Sequence, residues 1–131
     1  MIYTLDASAL MAFLLKEKGD LKVKTILKTE SKPFIHAINL LEVKYKIKRK
    51  HSDKWPEIKK LVDKLPLTVT ELTSPKITDY ACYLKSKHAL SLADSIGLGL
   101  AKFMGNIFLT ADRRELEIIA KTEKVKIEFL R

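Results

Sequence analysis

The sequence has a single cysteine, four glycines and four prolines among its 131 residues. One cysteine cannot form an internal disulfide, so a disulfide-stapled scaffold and a four-cysteine zinc site are both excluded. The scarcity of glycine and proline excludes collagen-like repeats and low-complexity linkers. With 47% apolar and 31% charged residues, the composition is that of a folded chain rather than a disordered one.

Long apolar runs are also missing. The longest, from Ala7 to Leu15, is about half of what a membrane span needs. No basic segment follows Met1, so the beginning of the chain does not resemble a secretory signal. We therefore expect a cytoplasmic protein with no membrane contact. Residues 1–131 should form one domain, because this length suits a single core.

Acidic residues are the minority: 25 Lys and Arg against 16 Asp and Glu leave a net charge of +9. The excess is concentrated between Lys44 and Lys60, where eight basic residues face two acidic ones. A charge of this size favours a polyanionic partner. The basic stretch is either a phosphate-contacting surface or a solvated helical face, and the sequence leaves both readings open.

Short apolar runs alternate with helical patterns along the whole chain. Strands are predicted over residues 2–5, 33–36, 67–71, 107–110 and 125–130, and helices over residues 7–16, 20–27, 38–48, 55–65, 74–87, 91–104 and 113–121. This alternation predicts an α/β domain of three layers (α/β/α) with a central, largely parallel sheet of about five strands. In such sheets ligands bind beyond the carboxyl ends of the strands.

Four acidic residues stand out by their position. Asp6 directly follows the first predicted strand, and Asp112 follows the fourth, so both should lie at the same edge of the sheet. Glu42 borders the buried face of its predicted helix, and Asp94 stands at the beginning of a mostly apolar helix. Each also has a local explanation, as a helix cap or as the partner of a lysine one turn away: Asp6, Ser91 with Asp94, Asp112 with Glu115, and Glu42 with Lys46.

Local explanations do not account for four weakly solvated acids at one edge of a basic protein. Two unit charges about 4 Å apart repel by roughly 4 kcal/mol at an effective dielectric constant near 20. Such carboxylates can converge only if some bind protons or a cation neutralises them. Oxygen ligands select hard cations, so Mg²⁺ or Mn²⁺ is the expected cofactor. An ion of this kind can activate water for attack on a phosphodiester.

The four acids lie in the segments Tyr3–Ser8, Asn39–Val43, Leu90–Ser95 and Phe108–Asp112. In this order and at this spacing, the segments resemble those of the PIN-domain ribonucleases, especially the VapC-like toxins of type II toxin–antitoxin pairs. The resemblance extends over nearly the whole chain. One departure is that Arg113 and Arg114 follow the last acid where the family often has a short spacer and Phe.

The resemblance implies an endoribonuclease in which Asp6, Glu42, Asp94 and Asp112 are the catalytic residues and the ligands of Mg²⁺ or Mn²⁺. It implies that Thr110 and Ser8 support this site by hydrogen bonding, and that a metal-activated water cleaves RNA. It further implies a homodimer and a cognate antitoxin protein as partners. We expect six basic side chains to hold the RNA backbone: Lys46, Lys48, Arg49, Lys50, Arg113 and Arg114.

Three other functions are considered. A PIN-type nuclease that processes RNA would carry the same residues as a toxin. A non-catalytic RNA-binding domain of the same fold would be expected to lack at least one of the four acids, and all four are present. An aspartyl phosphatase or phosphotransferase would need a second acid two residues after Asp6, and Ser8 occupies that position.

Overall fold

The computed structural model describes all 131 residues. Five strands and seven helices alternate along the chain, and each lies where the sequence predicts it, with bounds that differ by at most two residues. The strands are β1 (Tyr3–Leu5), β2 (Phe34–His36), β3 (Thr68–Thr70), β4 (Ile107–Thr110) and β5 (Ile127–Phe129). The helices are α1 (Ala7–Leu14), α2 (Asp20–Leu27), α3 (Ala37–Lys50), α4 (Trp55–Lys64), α5 (Pro75–Lys87), α6 (Leu92–Met104) and α7 (Arg114–Thr122).

Polar caps begin the helices that face the carboxyl edge of the sheet. Asp6 caps α1, His36 caps α3 and Ser91 caps α6, and each side chain accepts a hydrogen bond from a backbone N–H of the first turn. These bonds satisfy donors that have no partner within the helix. At the other end of α6, Gly105 has φ of +69°, a left-handed conformation that favours glycine and ends the helix.

The five strands form one sheet in the order β3-β2-β1-β4-β5, and every neighbouring pair is parallel. The predicted α/β class with a central parallel sheet of five strands is therefore confirmed. β1 lies in the middle, where Leu5 pairs in register with Leu109 of β4. The residues that follow these two strands are consequently neighbours at the carboxyl edge of the sheet.

Two hydrophobic clusters cover the two faces of the sheet and complete the three layers. One packs α1 to α4 against Leu5, Ile35 and Leu109 of the sheet. The other packs α5, α6 and α7 against Phe108 of β4. Adjacent residues of β4 belong to different clusters because successive side chains of a strand point to opposite faces.

The longest helix is α3, with 14 residues. None of the helices has the combination of length and apolar character that crossing a membrane requires.

Candidate active site

Asp6 is the most deeply placed of the four acids. Its backbone N–H donates to the carbonyl of Leu109 on the neighbouring strand, and the residue is only 2% exposed. One carboxylate oxygen, Oδ1, accepts from the N–H of Ala7 at 2.8 Å. The same side chain therefore caps α1 and lies at the carboxyl edge of the sheet. Its role as a helix cap is compatible with a place in the candidate site.

Two hydroxyls hold the other oxygen of Asp6. Oδ2 accepts from Ser8 Oγ at 2.8 Å and from Thr110 Oγ1 at 2.7 Å. Each hydroxyl is fixed in turn by a backbone donor of the loop after β4: Ser8 Oγ accepts from the N–H of Ala111 at 2.9 Å, and Thr110 Oγ1 accepts from the N–H of Asp112 at 3.0 Å. Ser8 and Thr110 thus fix the orientation of the Asp6 carboxylate.

Glu42 and Asp94 meet Asp6 from two different helices. One carboxylate oxygen of each residue lies within 4.8 Å of those of the other two. α3 carries Glu42, and α6 carries Asp94 in its first turn. The buried side chain of Asn39 joins these helices because its Nδ2 donates to the carbonyl of Ala93 at 3.1 Å.

Asn39 was not among the residues expected from the sequence. It lies one turn before Val43 on the buried face of α3, and a polar residue in an otherwise apolar stripe is the signal that could have identified it. Gly97 of α6 makes room for it, since a Cβ at that position would lie 2.9 Å from Asn39 Oδ1.

The electrostatics of the three acids follow from their burial and proximity. Burial raises the pKa of Asp6, against the opposing effect of the hydrogen bonds from Thr110 and Ser8. Burial, and then the charge of Asp6, raises the pKa of Asp94 to about 8. Without a counter-ion the folded protein therefore keeps a proton in this cluster that a free carboxylic acid would lose. Three converging oxygen donors, of which only Glu42 has a basic partner, fit a hard divalent cation such as Mg²⁺ or Mn²⁺.

Asp112 lies outside this cluster. It lines the same cavity, but its carboxylate is bound by Arg114, with Nε to Oδ1 at 2.9 Å and an η nitrogen to Oδ2 at 2.6 Å. The Arg114 side chain and backbone N–H together lower the pKa of Asp112. Two acids of one cavity, Asp94 and Asp112, thus have pKa values shifted in opposite directions.

Basic side chains surround the acids in a cavity of about 430 Å³. Lys46 and Lys50 follow Glu42 at successive turns of α3, and Lys46 Nζ lies 2.9 Å from Glu42 Oε2. Arg114 and Arg131 complete the basic rim. Arg131 follows the last strand and is anchored by the carbonyl of Lys18 at 2.9 Å; nothing in its sequence context pointed to this position.

The other basic residues expected to hold RNA do not line this cavity. Lys48 and Arg49 lie on other faces of α3, and the Arg49 guanidinium stacks over the ring of Tyr45 at 5.8 Å. Arg113 binds Glu117 at 2.7 Å and stacks on Phe129. A helix turns about 100° per residue, so a run of neighbouring basic residues cannot share one face.

The family model described as PIN domain matches residues 3–122, which is most of the chain. The chain therefore belongs to the PIN domain family. A search of the curated proteins by sequence finds no match.

Solved structures share the fold at low sequence identity. A chain of a toxin–antitoxin complex from Klebsiella pneumoniae aligns with a TM-score of 0.74 and 15% identity, covering 98% of each chain. A chain of VapBC2 from Rickettsia felis, bound to a DNA fragment from its promoter, aligns with a TM-score of 0.74 and 16% identity, covering 98% of each chain. PAE2754 from Pyrobaculum aerophilum aligns with a TM-score of 0.67 and 21% identity, covering 97% of this chain and 89% of that one.

Proposed function

We propose that this protein is a Mg²⁺- or Mn²⁺-dependent endoribonuclease and the toxin of a toxin–antitoxin pair. The observation that carries the proposal is the convergence of three carboxylates, from Asp6, Glu42 and Asp94, inside a rim of basic side chains. A bound divalent ion would neutralise the acids and the scissile phosphate and would lower the pKa of an attacking water.

The residues of the chain have separate roles in this proposal. Asp6, immobilised by Ser8 and Thr110, presents a fixed oxygen ligand at the centre of the cluster. Asp94 contributes a second ligand once its proton is released. Glu42 is tethered to Lys46, and it can orient either a second ion or a water molecule. Asp112 is the fourth acid, at the rim.

RNA is the proposed substrate because the cavity combines an acidic centre with cationic walls. Lys46, Lys50, Arg114 and Arg131 line it, and side chains of this kind contact phosphates without reading sequence. The net charge of +9 adds a general attraction for a polyanion.

An antitoxin is proposed as partner because one similar solved chain belongs to a toxin–antitoxin complex and two others come from VapBC structures. A homodimer is proposed on a different observation. Ile38, Leu41 and Tyr45 recur on one face of α3 and are each at least 42% exposed. An exposed apolar stripe next to a site is typical of an interaction surface. A cytoplasmic location is proposed with these partners.

The alternative is a PIN nuclease that processes RNA without an antitoxin, and it would use the same acids. A phosphatase reading is disfavoured because position 8 carries a serine whose hydroxyl is committed to Asp6. A small protein that binds this chain and suppresses RNA cleavage would favour the toxin over the processing enzyme.

The first test is Asp6→Asn, assayed for cleavage of single-stranded RNA with Mn²⁺ and with EDTA. We expect the variant to lose cleavage and to keep the circular dichroism spectrum of the parent. Asp79→Asn is the matched control, since Asp79 is an exposed acid of α5 outside the cavity. An Asp6→Asn protein as active as the parent would refute the nuclease assignment.

The second test concerns the basic rim. We compare two double variants: one combines Lys46→Ala and Lys50→Ala, and the other combines Lys48→Ala and Arg49→Ala. Both also carry Asp6→Asn so that the RNA stays intact. For single-stranded RNA each lost phosphate contact reduces the slope of log affinity against log salt by about 0.7. We expect the first pair to flatten the slope by about 1.4 and the second pair to leave it unchanged. Equal slopes for both pairs would contradict the proposed path of the RNA.

A further inference from the structure

The contact between Arg114 and Asp112 has no role in the site described so far. Two guanidinium nitrogens bind the two carboxylate oxygens of Asp112, at 2.9 and 2.6 Å. The backbone N–H of Arg114 adds a third bond to Oδ1, at 3.1 Å. A paired guanidinium and carboxylate of this geometry is the strongest arrangement available to the two groups.

Asp112 binds Arg114 and lies outside the cluster formed by the other three acids. Asp112 lines the cavity, yet only Asp6, Glu42 and Asp94 bring carboxylate oxygens within 4.8 Å of one another. Arg114 is thus the counter-ion of the fourth acid, in a cavity where the buried acids have none of comparable geometry.

Both partners can exchange this contact for another. The Arg114 side chain is 88% exposed, and that of Asp112 is 24% exposed, so the pair can separate without unfolding anything. Its bidentate geometry places this pair at the upper end of the range for exposed ion pairs, and that range is small because water solvates the separated groups well. A divalent cation is a better partner for the carboxylate, and a phosphate is a good bidentate partner for the guanidinium.

The neighbouring arginine cannot act in this way. Arg113 is bound to Glu117 and to the backbone carbonyl of Arg131, and it stacks on the ring of Phe129 at 4.6 Å. It also lies outside the cavity lining. Arg113 therefore supplies a matched control, with the same charge at the adjacent position and no hydrogen bond from its side chain to the Asp112 carboxylate.

We propose that Arg114 is an exchangeable counter-ion: it holds Asp112 away from the other acids in the free protein, and it releases Asp112 to the metal as it moves to an RNA phosphate. This inference rests on the proposed function, because it assumes that the acids bind a divalent ion and that RNA enters the cavity. Arg114 is a positioning residue for Asp112 and a binding residue for RNA.

The first experiment measures Mn²⁺ binding to the RNA-free protein by isothermal titration calorimetry. Arg114 competes with the metal for Asp112, so Arg114→Ala should bind Mn²⁺ about fivefold more tightly than the parent, the upper range for an exposed ion pair. Arg113→Ala should bind within about twofold of the parent, because it removes only a screened charge. In the Asp112→Asn background, Arg114→Ala should raise the Mn²⁺ affinity no more than Arg113→Ala does.

The second experiment measures binding of a fluorescein-labelled single-stranded oligouridine by anisotropy, with EDTA and with Ca²⁺ as the oxygen-seeking ion. A denaturing gel verifies that the oligonucleotide stays intact. With EDTA, Arg114 stays on Asp112, and Arg114→Ala should change RNA affinity by less than about twofold. With Ca²⁺, the freed arginine should contact phosphate, and its loss should flatten the salt slope by about 0.7.

Several results would overturn the exchange. The first is that Arg114→Ala binds Mn²⁺ no more tightly than Arg113→Ala does. The second is that the gain in Mn²⁺ affinity on Arg114→Ala persists in the Asp112→Asn background. The third is that Arg114→Ala changes RNA binding equally with EDTA and with Ca²⁺. If the parent binds Mn²⁺ and RNA while these differences are absent, the exchange alone is wrong. If the parent binds no Mn²⁺ at all, the proposed metal site is wrong and the exchange with it.

Discussion

Asp94→Asn should make the metal-free protein more stable, which is the reverse of what most substitutions of partly buried residues do. Asp94 has a pKa of about 8 in the folded protein, against 3.8 for a free carboxyl group. Between these pH values the folded state holds a proton that the unfolded state has released. Stability contributed by this group therefore falls as pH rises from about 4 to about 8 and stays low above that.

The magnitude follows from the same shift. A difference of one pKa unit corresponds to about 1.4 kcal/mol, so relative to an unperturbed carboxyl group the penalty is about 4 kcal/mol near pH 7 and about 2 kcal/mol near pH 5. Asparagine carries no charge, and its amide can donate to Asp6 as the protonated acid does. We expect Asp94→Asn to raise the free energy of unfolding of the metal-free protein by up to these amounts, and by more at neutral than at acidic pH.

The assay is urea unfolding of parent and variant in EDTA across this pH range, repeated with Mn²⁺. The ion stabilises the parent by mass action on the folded state, and the variant should lose most of that stabilisation because one ligand is missing. Asp79→Asn serves as control for removal of an exposed charge. If Asp94→Asn is no more stable than the parent in EDTA near neutral pH, the reasoning about uncompensated charge in the cluster is refuted.

Three further predictions concern the same site and the helix that carries it. Asp112→Asn should lower the free energy of unfolding by up to about 1 kcal/mol, since its arginine partner is lost. Because Arg114 lowers the pKa of Asp112 in the folded parent, the difference should begin to shrink only as pH falls below about 4 and should vanish once the folded carboxyl group is itself protonated; a stabilised variant would contradict this. Mn²⁺ affinity of the parent should rise about ninefold from pH 6 to 7 and about fivefold from pH 7 to 8 as the metal displaces the proton of Asp94, whereas calorimetry showing no pH dependence would argue against displacement. Gly99→Ala should destabilise the protein by about 1–3 kcal/mol through overpacking, because the new Cβ would lie 2.7 Å from the carbonyl oxygen of Ile77. Urea unfolding measures the change. A free energy of unfolding raised by about 1 kcal/mol, as helix propensity alone predicts, would show that α5 moves to make room for the methyl group.

The acids of the site could be found from the sequence because each follows a local rule. Asp6 directly follows a short strand whose three residues are all buried, and Asp94 stands three residues after a capping serine. Strand ends and helix starts are readable from short stretches of sequence. Parallel strands then bring their carboxyl ends to a common edge, so the convergence at that edge follows from topology without side-chain detail.

The sequence could not distinguish Asp94 from Asp112. Both are acids near the beginning of a helix, and relief of repulsion would be expected on removing either one. In the structure Asp94 lies among carboxylates and Asp112 lies against Arg114. The sign of a pKa shift depends on which charges lie within a few ångströms, and those distances are set by rotamers and packing rather than by spacing along the chain.

The basic residues divide in the same way. Counting charges located the dense stretch between Lys44 and Lys60, but only Lys46 and Lys50 of that stretch line the cavity. Their spacing of four residues places them on the face of Glu42. Arg131 joins them from the far end of the sequence, and no local pattern announces a contact between residues so distant along the chain.

The sequence alone determined the order of the twelve elements, the parallel sheet and the acids of its carboxyl edge, because apolar periodicity, caps and strand ends are local properties. Tertiary structure alone decided which three acids share a centre, which acid is bound by Arg114, and which cations line the rim. Those features depend on distances between side chains from different elements. Electrostatic interaction changes steeply over such distances, and only the packed fold sets them.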